Sequence, residues 1–542
     1  MFVFEVIIAL LLGGAALTLI AQRFGTPYPA LVALAGAALA LVPGTPTLVL
    51  DPELALTLFV APVLLDAAFD ASPRDLRANW RVVAGLALGA VVLTVIAVAG
   101  TTRLLVPSMP WAAAIALGAI VAPPDAAAAT AVLKQLRPPH RLLVILEGES
   151  LFNDASALLI YRLAVGAMLA GAFSLAGVLP TLVVVTLGSV ALGLILSRVI
   201  IHMTARIEDV AIAVVVQFCG TFGVWLLAER LHLSGILTVV AFAMATAPRA
   251  AELIPARVRI PSYAVWEFAV FVLNVLAFIL VGFQLKGILG RIDAPTLMSY
   301  AGIAAAVCVA TIVARIAWVS GAAAVSRWWC RPRPDGTPPP RDAIALSPRA
   351  AAVVGWCGMR GIVTLAAALA LPTGGPGTAF PYRDLILFTA FSVVLGTLVV
   401  QGMTLRPLMN YLKLEDDGSV EREVRLARVE TLRAGLAATA ELPGEETAGL
   451  LRRRYEILLR RAEEDLANAN GAGDGAAPTV RETGAFSADA AIVRTATSAE
   501  RQRLIALRAD GTIGDTAFQR IEQELDWEEL DLQQLTNSGP GS

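Results

Sequence analysis

Asn153 and Asp154 stand side by side in LEGESLFNDASALLIYRLAVG, residues 146–166, a largely apolar run that also carries Glu147, Glu149 and Arg162. A carboxylate within a membrane loses most of its hydration, so an ionisable group in such a run is a functional candidate by default. On a helix Ser150 lies one turn before Asp154 and shares its face, with Asn153 one step round. Two more acids fall in similar surroundings. Asp125 follows Pro123 and Pro124 in IALGAIVAPPDAAAATAV, and Asp66 lies four residues after Pro62 in LTLFVAPVLLDAAFDAS. Adjacent prolines remove two backbone donors and cannot continue the preceding helix, which leaves carbonyls on that turn open to a cation. Oxygen ligands without thiolate or imidazole suit a hard cation. A carboxylate that holds either a cation or a proton, but not both, couples the two by competition.

One basic residue belongs to the same problem. Arg360 lies in AAVVGWCGMRGIVTLAAALALP, bracketed by Gly355, Gly358 and Gly361. A buried guanidinium needs an anion, and Glu149 is the expected partner, in a structural pair that holds interrupted helices in register. Arg162, Arg315 and Glu267 are read as packing salt bridges, and Glu5 as solvated near a surface.

The elements that position these residues follow from composition. The chain has 542 residues, 57% of them hydrophobic and 16% charged, with a mean hydropathy of +0.71, and the apolar residues come in long runs. This is a membrane protein, and abundant Ala, Gly and Val indicate packed helices rather than a barrel. With about 20 apolar residues per crossing, thirteen spans are expected near 3–22, 28–43, 52–71, 80–106, 112–133, 141–170, 179–203, 209–229, 233–248, 262–286, 296–326, 347–372 and 382–410. Phe2–Ile20 lacks a basic flank and a cleavage site and is read as the first span rather than a removed signal. An outside N-terminus puts sixteen Lys and Arg in the cytoplasmic connections against five outside, which the positive-inside rule favours. The fifth and twelfth spans are interrupted, each with a charged residue at its break. Paired interruptions in corresponding halves of an inverted repeat mark the midplane site of a secondary transporter.

Residues 413–542 differ in kind, holding 25 of the 44 acidic residues and 16 of the 42 basic ones. They read as a helical cytoplasmic regulatory tail behind a transmembrane domain at 1–412. Its last segment, TAFQRIEQELDWEELDLQQL, sets Phe518, Ile521, Leu525 and Leu532 along one face. Cys219, Cys308, Cys330 and Cys357 have neither pairing nor metal spacing, and His140, His202 and His232 form no ligand cluster. No cofactor is called for.

GESLFNDASALLIYRLA, APPDAAAATAV, WCGMRGIVTLAAALALP, WEFAVFVLNVLAFILVGFQL and TLVVQGMTLRPLM resemble, in order, the signatures of monovalent cation–proton antiporters of the NhaP and sodium/proton-exchanger branch. The resemblance implies an all-α fold of thirteen helices, two inverted six-helix repeats around a linker helix, a homodimer and an elevator-like core. It makes Asp154 the carrier of cation and proton and Asn153 the mark of an electroneutral branch. Ser150 and Asp125 become ligands of Na+ beside Asp154, and Glu149 bridges to Arg360. Two departures stand out. Asp66 replaces a Glu common in relatives and is one methylene shorter. Pro124 replaces a Thr, keeping the carbonyl and losing the hydroxyl.

The expected function is secondary antiport of Na+, Li+ or K+ against H+ across the cell membrane, with a K+-selective exchanger as the alternative. A cation channel or a cation sensor acting through the tail is a more distant one. The chain is not read as an enzyme. An intramembrane aspartyl protease needs paired Tyr-Asp and Gly-x-Gly-Asp motifs, which do not occur, and a serine protease needs a histidine placed for Ser150.

Overall fold

The computed structural model describes residues 2–42, 52–136, 138–170, 175–207, 209–254, 256–290, 292–329, 346–373 and 380–414, with isolated positions between 416 and 467. Regular structure among them is helical. Helices α1 (Phe2–Phe24) and α2 (Tyr28–Ala40) precede the short α3 (Pro52–Ala55), a π-helical turn at Leu56–Val60 and α4 (Ala61–Asp70). α5 (Pro73–Ala84) passes through a second π-helical segment, Gly85–Ala90, into α6 (Val91–Leu105). α7 (Trp111–Val121) and α8 (Ala126–Leu136) are separated by a break. Then come α9 (His140–Ala170), α10 (Leu175–Thr204), α11 (Val210–Arg230), α12 (Gly235–Leu253), α13 (Ala256–Leu289) and α14 (Ala294–Trp329). A second break parts α15 (Pro348–Trp356) from α16 (Ile362–Leu369), and α17 (Arg383–Leu412) follows.

Among the described residues seven helical stretches are long and apolar enough to cross a membrane: Ile7–Phe24, Pro73–Leu105, Leu182–Thr204, Val210–Arg230, Pro261–Leu289, Ala294–Trp328 and Arg383–Leu412. Interrupted helices are too short to qualify, and α9 carries the charges that pose the question. The chain is a multi-pass membrane protein.

Short polar residues start the helices where the sequence places them. Ser72, Asp209, Ser234 and Ser347 each accept a hydrogen bond from the backbone N–H three residues on, at 3.2, 2.9, 3.4 and 3.1 Å. Each satisfies an N–H that the first turn leaves without a partner. The Ser72 cap corrects the expected start of the fourth span from 80 to 73. The first turns of α5 are amphipathic, with Leu76 buried and Arg74 and Arg77 exposed, so an apolar count begins too late. The third span is likewise interrupted. Pro62 has no N–H to continue the ladder, and the π-turn at Leu56–Val60 absorbs the mismatch just before it.

Small residues bring the helices together. α2 lies so close along α13 that a side chain at Gly36 would place its Cβ 2.5 Å from the Ile279 carbonyl oxygen. α7 is packed between α6 and α9, and its residues from Ala116 to Val121 are all buried. α17 packs against α14 and α16.

The chain divides into units Met1–Ser419 and Val420–Ser542. In the second, Arg433 pairs with Glu430 at 2.8 Å and Glu463 at 2.7 Å. The final amphipathic segment expected at 516–535 lies outside the described residues, as does Cys330.

Candidate ion-binding site

The two breaks bond to each other. The backbone N–H of Asp125, just past the prolines, donates to the Met359 carbonyl at 2.7 Å. From the other side, Arg360 Nε donates to the Val121 carbonyl at 2.8 Å and Nη2 to the Ala122 carbonyl at 3.2 Å. Its Nη1 donates to the Gly358 carbonyl, and its backbone N–H to Thr397 Oγ1 at 3.0 Å. Helix C-termini leave carbonyls without partners and carry partial negative charge. Arg360 is fully buried and supplies donors and a positive charge to the end of α7.

Asp125 performs the converse task. Its Oδ1 accepts from the Ala127 N–H at 2.9 Å, capping the start of α8. A Cβ at Gly361 would overlap its other oxygen, so the carboxylate lies against the first residue before α16. One anion thus sits where the positive ends of two half-helices converge. Glycine at 361 is required by that approach.

α9 passes alongside. Asn153 is buried, and its Nδ2 donates to the Pro124 carbonyl at 3.1 Å, while its Oδ1 has no hydrogen-bond partner among the described residues. Pro124's carbonyl, expected to be open, is therefore engaged through one lone pair. Asp154, 6% exposed, interacts electrostatically with Asp125 and forms no ion pair among the described residues. Ser150 is half-buried one turn earlier on α9. Ser156 donates to the Ala87 carbonyl at 2.6 Å, which ties α9 to the second π-helical segment.

The expected Glu149–Arg360 pair does not form. Glu149, 1% exposed, takes both oxygens to Arg315 of α14, at 2.5 Å to Nη1 and 2.8 Å to Nη2. Arg315 also donates to the Val354 carbonyl in the last turn of α15, from Nε at 3.2 Å and Nη2 at 3.1 Å. The two buried arginines divide the work: Arg360 caps α7, and Arg315 caps α15 and neutralises Glu149. Carbonyls of a broken helix satisfied Arg360 without a carboxylate. Sequence reading gave Arg315 a packing salt bridge but not its partner. Arg162, read as a packing pair, meets Glu229 of α11 at 3.2 Å on an exposed surface. Glu267 is exposed.

Asp66 is carried by α4. It is half-buried and lines a cavity of about 100 Å³ with Gln217, Thr246 and Trp266, whose lining includes neither Asp154 nor Asp125. Among the described residues no three His, Cys, Asp or Glu side chains form a metal-holding group. What the breaks and α9 bring together is two carboxylates, an amide oxygen without a partner and a singly engaged carbonyl. These are oxygen donors of the kind that suits a hard cation.

Residues 6–411 match the family described as sodium/hydrogen exchanger, transmembrane. A protein of Mycobacterium tuberculosis, named an uncharacterized Na(+)/H(+) exchanger, is 31% identical over 97% of this chain and 96% of its own length. The sodium, potassium, lithium and rubidium/H(+) antiporter of Bacillus pumilus is 31% identical over 76% of this chain and 63% of its own. The structure of the sodium proton antiporter MjNhaP1 from Methanocaldococcus jannaschii at pH 8 shares the fold, with a TM-score of 0.58 at 17% identity over 74% of this chain and 99% of that one. The chain belongs to the sodium/hydrogen exchanger family of cation–proton antiporters.

Proposed function

We propose that this chain exchanges one monovalent cation, Na+ in the first instance, for one proton across the cell membrane, by competition of the two for Asp154. One observation carries the proposal: Asp154 is a buried carboxylate without a cationic partner among the described residues, beside interrupted helices whose polar groups converge. Glu149, five residues away, has its charge cancelled by Arg315. A carboxylate left uncancelled in such surroundings must hold a proton or a cation. In this proposal Asp125, Ser150 and the oxygens of Asn153 and Pro124 complete the shell, and Asp66 lies outside it.

Asn153 cannot titrate, so Asp154 offers one exchangeable charge. Either loaded form is then neutral, and the cycle moves no net charge. We take the chain to cross the membrane thirteen times as two inverted repeats, with the N-terminus outside and the acidic tail in the cytoplasm as a regulatory element. A homodimer with a moving core completes the proposal, without a cofactor. A cycle with one unbalanced charge would feel about 2.3 kcal/mol per 100 mV. Exchange measured in proteoliposomes with a pH dye, with and without a clamped diffusion potential, should therefore be unchanged by voltage. A clear change in rate or gradient would mean that a second acid titrates.

A second reading is exchange of K+, Li+ and Rb+ as well. It draws on the names of the Bacillus pumilus and Bacillus subtilis relatives, both sodium, potassium, lithium and rubidium/H(+) antiporters. The same proteoliposomes given each cation in turn decide between a narrow and a broad exchanger.

A further inference from the structure

We propose that this protein holds an anionic phospholipid of the surrounding bilayer in a second site, with its headgroup phosphate on Arg77 and an acyl chain between α5, α9 and α12. A cavity of about 910 Å³ opens there, away from Asp154 and Asp125, which do not line it. Its walls are mostly apolar, among them Leu76, Leu88, Phe152 and Leu159. Leu88 is 58% exposed and Phe152 36%, so the cavity is open at the protein surface along this edge.

The two ends of the cavity differ, and that difference selects the occupant. At one end Arg162 and Glu229 form an ion pair at 3.2 Å, so no net charge is offered there. At the other end stand Arg77 and Trp80. Arg77 is exposed and has no ion pair among the described residues, and Trp80 carries Arg81 over its ring with the guanidinium 5.7 Å from the centroid. An exposed tryptophan beside arginines at the start of an amphipathic helix is the arrangement that settles at a headgroup layer. Along α5 and the following π-helical segment, Leu76 and Leu88 are twelve residues apart, about 18 Å of helix, close to the ~15 Å of one leaflet's hydrocarbon. A ligand with an anion at one end and a chain of one leaflet's length fits both features. A zwitterionic lipid brings the same phosphate with its charge offset by a cation, and a soluble anion fits only the first.

The site matters to transport because its walls include both α9, which carries Asp154, and α12. A chain seated there fills the space between them.

The test uses the full chain purified from vesicles holding phosphatidylglycerol and phosphatidylcholine in equal amounts, with retained lipid counted by native mass spectrometry. Wild type should retain phosphatidylglycerol over phosphatidylcholine by about fivefold, the factor one Arg near a membrane surface supplies. Arg77→Gln should remove that preference and still unfold at the wild-type temperature. Leu159→Trp, which keeps Arg77 and fills the cavity, should lose both lipids. If that variant does not fold, Leu88→Trp at the exposed edge makes the same test. Equal retention of the two lipids by wild type, or an undiminished preference in Arg77→Gln, overturns the proposal. So does efficient cross-linking between copies through Leu88→Cys with no lipid retained, which would assign the face to a second copy of the chain.

Discussion

Two acidic regions of α9, little more than a helical turn apart, are treated in opposite ways. Around Glu149 every charge is met: both carboxylate oxygens reach Arg315, and Arg315 also reaches the Val354 carbonyl. Around Asp154 there is a second carboxylate, a buried amide oxygen without a partner and no basic side chain paired with the acid among the described residues. The first region is closed and holds α9, α14 and α15 in place. The second lacks one positive charge. Burial alone does not make a functional acid, since Glu149 is the more buried of the two. What distinguishes Asp154 is that the protein leaves its charge for something else to cancel.

That contrast can be broken from the Glu149 side first. Glu149→Gln leaves Arg315 charged and buried, and should destabilise the protein by about 3–5 kcal/mol, read as a fall in unfolding temperature in detergent. Adding Arg315→Met should recover much of the loss, because the orphaned charge goes with it. A double mutant no better than the sum of the singles would mean that the pair does not act as one.

Next in size is Arg360→Ala, which removes the donors to Val121 and Ala122. Charged donors of this kind are worth about 1.5–3 kcal/mol, seen again in unfolding temperature. Combined with Glu149→Gln the coupling should be smaller than for the Arg315 pair, since Glu149 acts on Arg360 through charge alone and no hydrogen bond joins them. Strong coupling in that cycle would restore the pairing expected from the sequence.

Gly361→Ala probes the crossing itself. Its Cβ must displace the Asp125 carboxylate, and overpacking of this size costs about 2 kcal/mol. Cation affinity in equilibrium binding should fall with it, and an unaltered affinity would show that Asp125's position against α16 is immaterial. Asn153→Ala should have the smallest effect on stability, about 1 kcal/mol for the bond to Pro124.

Much of this candidate site's geometry is legible in the sequence. Pro123, Pro124 and Asp125 in succession dictate both the end of α7 and the cap of α8, and Gly358 and Gly361 announce the second break. Asn153 and Asp154 declare themselves by being polar where polarity is costly. The partner of Glu149 was not legible, because two arginines in apolar segments competed for one acid. Only the relative placement of α7 and α14 decides which of them has carbonyls to bond instead. The π-helical turns escaped for a related reason: a fifth-residue ladder leaves no compositional mark beyond a proline that an α-helix also tolerates near its start. Asp66 is an acid in an apolar run like the others, and its place in the lining of a cavity beside Trp266 is not marked in the sequence.

The central claim rests on Asp154, and exchange by Asp154→Asn in proteoliposomes tests it most directly. The amide keeps the side chain's shape but can neither ionise nor give up a proton. With Na+ uptake and proton release followed together, a folded Asp154→Asn protein should show neither, while wild type shows both in equal amounts. Substantial coupled exchange in the variant would contradict the account, because the charge that α9 leaves unmatched would then not be the one that carries the ion.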